Sequence, residues 1–285
     1  MIHKKIKPYL FIAPSVIGLL IFYIVPFTVN IGYCFTLAES DTVSPLNLFR
    51  NIGHVFSSYS FQLAIKNNAI FLLIAIPSII VVSFFLAVAL LKATASNGVF
   101  RTAFFMPLVI PTAATIVVFQ ILFEKSGFIN HMLNVLSLDT VDFLESRYSL
   151  LIMVLIYVWK YCGYNMLLFI VGINAIPKEY YEAAKIDGAG RFKCLYYITL
   201  KMIKSTMFFV IIMSLINSFK IFREVYLLTG DYPPDKLYLL QHYLNNNFTN
   251  FNYQNLSIAS LITFTFVLLV LGLLYLRRNR FGKEV

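Results

Sequence analysis

Residues 67–91 read NNAIFLLIAIPSIIVVSFFLAVALL, a run with no charged side chain. Wound as a helix at about 1.5 Å per residue, it reaches some 37 Å, more than the ~30 Å of a hydrocarbon core. A barrel strand would alternate apolar and polar residues over ~10 positions, and this run does not. Backbone groups in lipid must be satisfied within their own segment, so the spanning form is a helix. Residues 102–123 form a second charge-free run. The whole chain of 285 residues is 59% hydrophobic and 13% charged, where a soluble domain carries about a quarter charged residues.

Working outward from these runs, six spans can be placed, at Tyr9–Leu37, Asn67–Leu91, Ala103–Phe123, Ser149–Ile176, Ser205–Phe222 and Leu256–Leu276. The expected fold is an all-α integral membrane protein, residues 1–285 forming a single transmembrane domain. The formal charge of +10 does not point to nucleic acid. With a cytoplasmic N-terminus, fifteen Lys and Arg fall in inner segments, Lys92 and Lys283 among them, against five in outer ones, Arg147 included. That asymmetry follows the positive-inside rule, with both termini inside (N-in/C-in). The first segment is longer than a secretory h-region and carries Pro14 and Pro26, so it is read as a retained span. Cys34, Cys162 and Cys194 have no metal or disulfide spacing and serve as small apolar fillers.

Several chemistries find no residues here. A phosphate-cradling Gly-x-x-x-x-Gly-Lys-Ser/Thr loop and a His-Glu-x-x-His zinc pattern are both missing from the sequence. Paired carboxylates within the spans are missing too, and no carboxylate is expected deep in a span. Lys220, Arg223 and Glu224 are expected at the outer interface, with their long side chains reaching for water. The chain therefore reads as non-enzymatic.

One stretch departs from the oily background: EYYEAAKIDGAG, residues 179–190. Pro177 suits a first helical turn, and Glu179 and Glu182 complement the helix dipole. Ile176, Tyr180, Ala183 and Ala184 fall at i, i+4, i+7 and i+8, an apolar face of small residues. Gly188 and Gly190 supply a left-handed cap or a sharp bend, and a second short helix can follow over Phe192–Thr199. By geometry alone, this is equally an amphipathic connector on the membrane surface or a knob that enters a protein cleft.

The order of its residues resembles the EAA loop of permease subunits from binding-protein-dependent ABC importers. That pattern is Glu-Ala-Ala, three residues, Gly, nine residues, then Ile-x-Leu-Pro. Here Glu182-Ala183-Ala184 precede Lys185-Ile186-Asp187 and Gly188, and Ile198-Thr199-Leu200 follow, with Lys201 in place of the Pro. RTAFFMPLVIPTAA (101–114), the run 158–190 and FKIFREVYLLTG (219–230) are similar to the sugar-type branch, in particular the maltose and glycerol-phosphate first permease subunits. The usual Gly-Gly-Pro after the last motif is here Gly230-Asp231-Tyr232-Pro233-Pro234.

The resemblance implies a type I ABC importer permease in a bacterial cytoplasmic (inner) membrane. It implies half of a translocation path for a carbohydrate, in the first instance an oligosaccharide, and a coupling segment at about 176–200. Partners would be a second, homologous permease subunit, two ATP-binding subunits and an extracytoplasmic solute-binding protein, within membrane lipid. This chain would hold no cofactor, ATP and Mg residing on the ATPase. Glu182, Ala183, Ala184, Asp187 and Gly188 would form the coupling helix and its turn.

Two polar stripes are candidate pathway residues. Tyr157, Lys160, Tyr161, Tyr164 and Asn165 share one face of the fourth span, and Ser214, Asn217 and Ser218 share one of the fifth. Lys160 and Asn217 lie about 16 and 18 Å from the starts of their spans, near mid-membrane. Such groups face a bundle interior or a water-filled cavity, or else tie helices together by hydrogen bonds. An ion-coupled secondary carrier with inverted repeats and a non-transport membrane scaffold are the alternative functions. The first is disfavoured by the lack of a visible repeat and of a carboxylate deep in a span, and the second, a membrane enzyme or assembly scaffold, by the missing catalytic sets.

Overall fold

The structure, a computed structural model, describes residues 2–37, 40–91, 94–146 and 148–281. Lys92, Arg147 and Lys283, counted in the charge asymmetry, lie outside the described residues. In chain order the elements begin with α1 (Ile2–Leu19), a π-helical turn (Leu20–Ile24) and α2 (Val25–Tyr33). A hairpin of β1 (Thr36–Leu37) and β2 (Ser40–Val43) follows, then α3 (Pro45–Ser57), α4 (Tyr59–Ala89) and α5 (Ala95–Val109). Next come α6 (Thr112–Phe123), α7 (Phe128–Val135), α8 (Ser149–Asn174) and α9 (Lys178–Ile186). α10 (Arg191–Cys194) runs through a π turn (Leu195–Thr199) into α11 (Leu200–Met202). α12 (Lys204–Ser218) continues as a 3-10 turn (Phe219–Ile221) into α13 (Phe222–Thr229). A 3-10 turn (Asp235–Leu237), α14 (Leu240–Thr249) and α15 (Tyr253–Phe281) complete the chain.

Among the described residues, six helical stretches are long and apolar enough to cross a membrane: Phe11–Tyr33, Tyr59–Ala89, Thr112–Val135, Ser149–Asn174, Lys204–Thr229 and Tyr253–Leu276. The architecture is helical as expected, with one small antiparallel hairpin, Thr36 opposite Val43, that the all-α reading omits. Four boundaries differ by more than three residues. The first span ends at Tyr33 and not Leu37, because Thr36 and Leu37 pair with β2 as a strand. The second span begins at Tyr59 and not Asn67, because the polar residues of YSFQLAIKNN sit comfortably in a helix. The expected third span is broken: Ile110 (φ −63°, ψ 132°) and Pro111 (φ −54°, ψ 136°) are extended between α5 and α6. Proline crowds the residue before it out of the helical region, so IPT ends one helix and opens another. The fifth stretch runs past Phe222 to Thr229.

The chain divides into two compact units. One comprises the residues up to Gln62 together with Tyr243–Leu269. In it Asn30 Nδ2 donates to Ser260 Oγ at 2.9 Å, and Phe27 meets Phe264 edge-on at 5.4 Å. The π turn has a local cause. Pro26 lacks an N–H for Phe22 and its ring crowds that carbonyl, so the preceding turn widens. The hairpin is held by Asn51, whose Nδ2 donates to Cys34 O and Thr36 O.

The other unit comprises Leu63–His242 with the chain from Val270. α8 is its central helix, with 61% of its apolar window buried where the other spans reach at most a third. Phe71 packs edge-on against Tyr157, and Phe84 against Phe169, so α4 follows α8 along its length. In lipid, helices gain little hydrophobic drive from meeting and depend on close approach. Gly163 supplies it: a Cβ there would lie 1.9 Å from the Phe104 carbonyl oxygen of α5. Asn67 of α4 donates through Nδ2 to Tyr238 O at 3.0 Å, and beyond the spans buried His242 accepts Leu239 N–H on Nδ1 at 3.1 Å.

Candidate functional site

The polar stripes meet in the second unit, and they separate into two roles. Tyr157, Asn165 and Ser214 are fully buried and bond one another across α8 and α12. Tyr157 Oη donates to Ser214 O at 2.7 Å, and Asn165 Nδ2 donates to Ser214 Oγ at 2.8 Å. Ser218 Oγ turns back onto Leu215 O at 2.6 Å. These four act as ties between or within helices. Tyr161, Tyr164, Asn217 and Lys160 instead line a cavity of about 480 Å³ that also reaches Thr112 and Arg223.

Lys160 carries the main correction. Its Nζ pairs with Glu224 Oε1 from α13 and donates to Thr112 Oγ1 from α6 at 3.1 Å. Both members of the pair are buried, with side chains 8% and 1% exposed. Glu224 therefore does not lie at the outer interface, and a carboxylate does sit deep inside the bundle, contrary to expectation. The cause is the length of the fifth helix. Once Phe219–Ile221 and α13 continue α12, Asn217, Lys220 and Glu224 stand at i, i+3 and i+7 on one face. That spacing was visible in the sequence, but ending the span at Phe222 hid it. Thr112 had no local signal, because it joins the site only through the break at Pro111. Lys220 and Arg223 are exposed, and Lys220 Nζ donates to Asn217 Oδ1 at 3.0 Å.

The 179–190 stretch forms α9, entered at Pro177 (φ −57°, ψ 136°) and free of buried residues. Its end is a Schellman cap: Ala189 N–H bonds Ala184 O at 2.8 Å, Gly188 N–H bonds Lys185 O at 3.1 Å, and Gly188 has φ +74°. Glycine takes that left-handed geometry without a Cβ penalty. Glu182, Ala183 and Asp187 are exposed and Ala184 is half-buried. The expected single face from Ile176 to Ala184 is not formed. Pro177 breaks the helical register, leaving Ile176 buried against α8 while Tyr180 is 52% exposed. The inward contact is Tyr181, whose Oη bonds Thr199 Oγ1 at 2.9 Å. The short helix after Gly190 runs through Lys201 to Met202, and the bend comes at Ile203 (φ −86°, ψ 12°), without a proline at 201.

Residues 68–280 match the family of the binding-protein-dependent transport system inner membrane component. The chain belongs to that family. It is thus the membrane component, a multi-pass permease, of a binding-protein-dependent transporter. Among relatives, it is 29% identical to the arabinooligosaccharides transport system permease protein AraP of Bacillus subtilis (strain 168), over 96% of this chain and 88% of AraP. The permease shares its fold with a chain of a bacterial ABC transporter involved in import of the acidic polysaccharide alginate (TM-score 0.84, 22% identity, 98% of each chain). A second structure, bacterial alginate ABC transporter in complex with alginate pentasaccharide-bound periplasmic protein, gives TM-score 0.81 at 22% identity over 95% and 94%. Permeases of this family are named as transport components and not as enzymes, which agrees with a chain lacking the motifs of ATP hydrolysis.

Proposed function

We propose that this permease forms half of the path by which a carbohydrate, in the first instance an oligosaccharide, enters a bacterial cell across its cytoplasmic membrane. α9 seats in a groove of a separate ATP-binding subunit that carries the ATP and Mg. Two such subunits, a second homologous permease and an extracytoplasmic binding protein complete the importer, with both termini of this chain in the cytoplasm. The observation that carries this reading is α9 itself. A nine-residue helix with no buried residue would gain nothing by standing free. Yet its orientation is fixed at both ends, by Tyr181 on Thr199 and by the Gly188 cap. A rigid, exposed knob of that kind suits a lever. Glu182 pairs with a basic residue of the ATPase, and closure of two ATPases swings the spans. The names of AraP and the alginate importer support a saccharide as cargo. Tyr161, Tyr164 and Asn217 in the cavity agree with that, offering flat aromatic faces for sugar C–H groups and an amide for hydroxyls.

One observation favours the ion-coupled carrier, namely the buried Lys160–Glu224 pair. Proteoliposomes of the assembled importer separate the two. Uptake needs ATP on the ATPase side and survives a protonophore, whereas a carrier loses uptake with the ion gradient. Glu182→Lys and Gly188→Pro are expected to assemble normally and abolish uptake together with stimulated ATP hydrolysis. Full uptake by both variants refutes the lever.

A further inference from the structure

We infer that the solute bears oxyanions, that is, a saccharide carrying carboxylate groups, and that Lys220 and Arg223 select it. The inference rests on reading the cleft among α6, α8, α12 and α13 as the solute path. Two cavities of about 220 and 480 Å³ share Thr112, Lys160, Tyr161, Lys220 and Arg223. Three cations, Lys160, Lys220 and Arg223, line them, against one carboxylate, Glu224. Glu224 is spent on Lys160. Lys220 meets only a neutral oxygen, Asn217 Oδ1, and no described carboxylate forms an ion pair with Lys220 or Arg223.

Two cations with no carboxylate partner, in a helical stretch long and apolar enough to cross a membrane, need an explanation. Arg223 lies six positions before Thr229, where the helix ends, so about 9 Å of helix separates it from that end. Intramembrane charges are costly and point to protein or to a watery pathway. Lys220 and Arg223, three apart, project from the same side of the helix toward the cavities. Between low-dielectric walls, like charges focus a positive potential, which concentrates anions and repels cations. A neutral sugar needs only hydroxyl partners and flat aromatic faces, which Asn217, Tyr161 and Tyr164 already supply. The guanidinium adds a fork matched to a carboxylate, and the lysine adds a point charge beside it. Aromatic faces for rings next to cations for acid groups describe a uronate-like chain better than a neutral one.

The test uses the complete importer in detergent without its binding protein, so that the membrane site alone is read. The probes are fluorescently labelled trigalacturonate, the matching neutral galactotriose and a 6-sulfated galactotriose, followed by anisotropy. Trigalacturonate is expected to bind at least tenfold tighter than galactotriose at about 10 mM salt, with the preference shrinking at about 150 mM. Arg223→Gln should cut that preference about tenfold, and Lys220→Gln with Arg223→Gln should remove it. Binding of the sulfated probe extends the class to any oxyanionic saccharide. Its rejection narrows the class to carboxylates. Equal or tighter binding of the neutral probe, no binding of trigalacturonate, or an unchanged preference in the double variant overturns the inference. So does inorganic phosphate or acetate competing as well as trigalacturonate, since the saccharide would then contribute nothing. In proteoliposomes, ATP-driven uptake with neutral preference removes only this inference, whereas ATP-independent uptake removes the importer reading beneath it.

Discussion

Lys160→Met tests the buried ion pair most directly. The substitution keeps much of the volume of the side chain and removes its charge, leaving Glu224 at 1% exposure with no cation on either oxygen. Glu224 Oε2 already has no hydrogen-bond partner among the described residues. Breaking one side of a buried pair costs about 3–5 kcal/mol, most of it the stranded charge and not the lost attraction. Thr112→Val, which takes only one hydrogen bond from the same ammonium, should cost about 1–2 kcal/mol. Neutralising both partners in Lys160→Met with Glu224→Gln should restore most of the loss. Heating detergent-solubilised importer and following the folded fraction by size exclusion gives the ranking. At about 2–4 °C per kcal/mol, the single variant should lose about 10 °C, and the double variant only a few. A double variant as unstable as Lys160→Met, or a single variant within about 2 °C of the parent, would show that the pair is not the electrostatic unit described here.

Gly163→Ala pushes a methyl into the Phe104 carbonyl and should cost about 1–3 kcal/mol as α5 and α8 separate, read as a lower melting temperature with Gly98→Ala, in open space, as control. Gly188→Val forces a β-branched residue into φ +74° and should weaken the α9 cap by about 1–2 kcal/mol, read as reduced solute-stimulated ATP hydrolysis at normal assembly, with Gly188→Asn milder. His242 is buried outside the spans, and burial lowers its pKa from 6.5 to about 4. The unfolded imidazole therefore binds protons more readily than the folded one. Stability is full above about pH 6.5 and drains away as pH falls toward 4, by about 2 kcal/mol between pH 7 and 5. His242→Phe should flatten that slope in thermal melts, and an unchanged slope would assign the acid sensitivity elsewhere.

Much of this was legible in the residues themselves. Asn67–Leu91 demanded a membrane helix whatever its neighbours, because lipid leaves an unpaired backbone no alternative. The turn after EYYEAAKID followed from Gly188, whose φ is a local property. The stripes on the fourth and fifth spans followed from helical period alone. What period could not reveal was which side of each stripe meets protein. Tyr157, Asn165 and Ser214 could by period be pathway residues or ties, and in the structure they bond helix to helix, since only packing decides whether a polar group faces another helix or a cavity.

The sequence by itself determined that the chain crosses a membrane, roughly where, and that a charged, glycine-ended helix stands apart from the spans. Those properties depend on neighbours within a few turns, and the chain order carries them completely. The tertiary structure alone decided that Lys160 meets Glu224 and Thr112. The three residues lie 48 and 64 positions apart in sequence and come together through a proline break and a helix longer than its apolar run suggested. Charge compensation inside a membrane is a property of distance in space, and no local pattern encodes it.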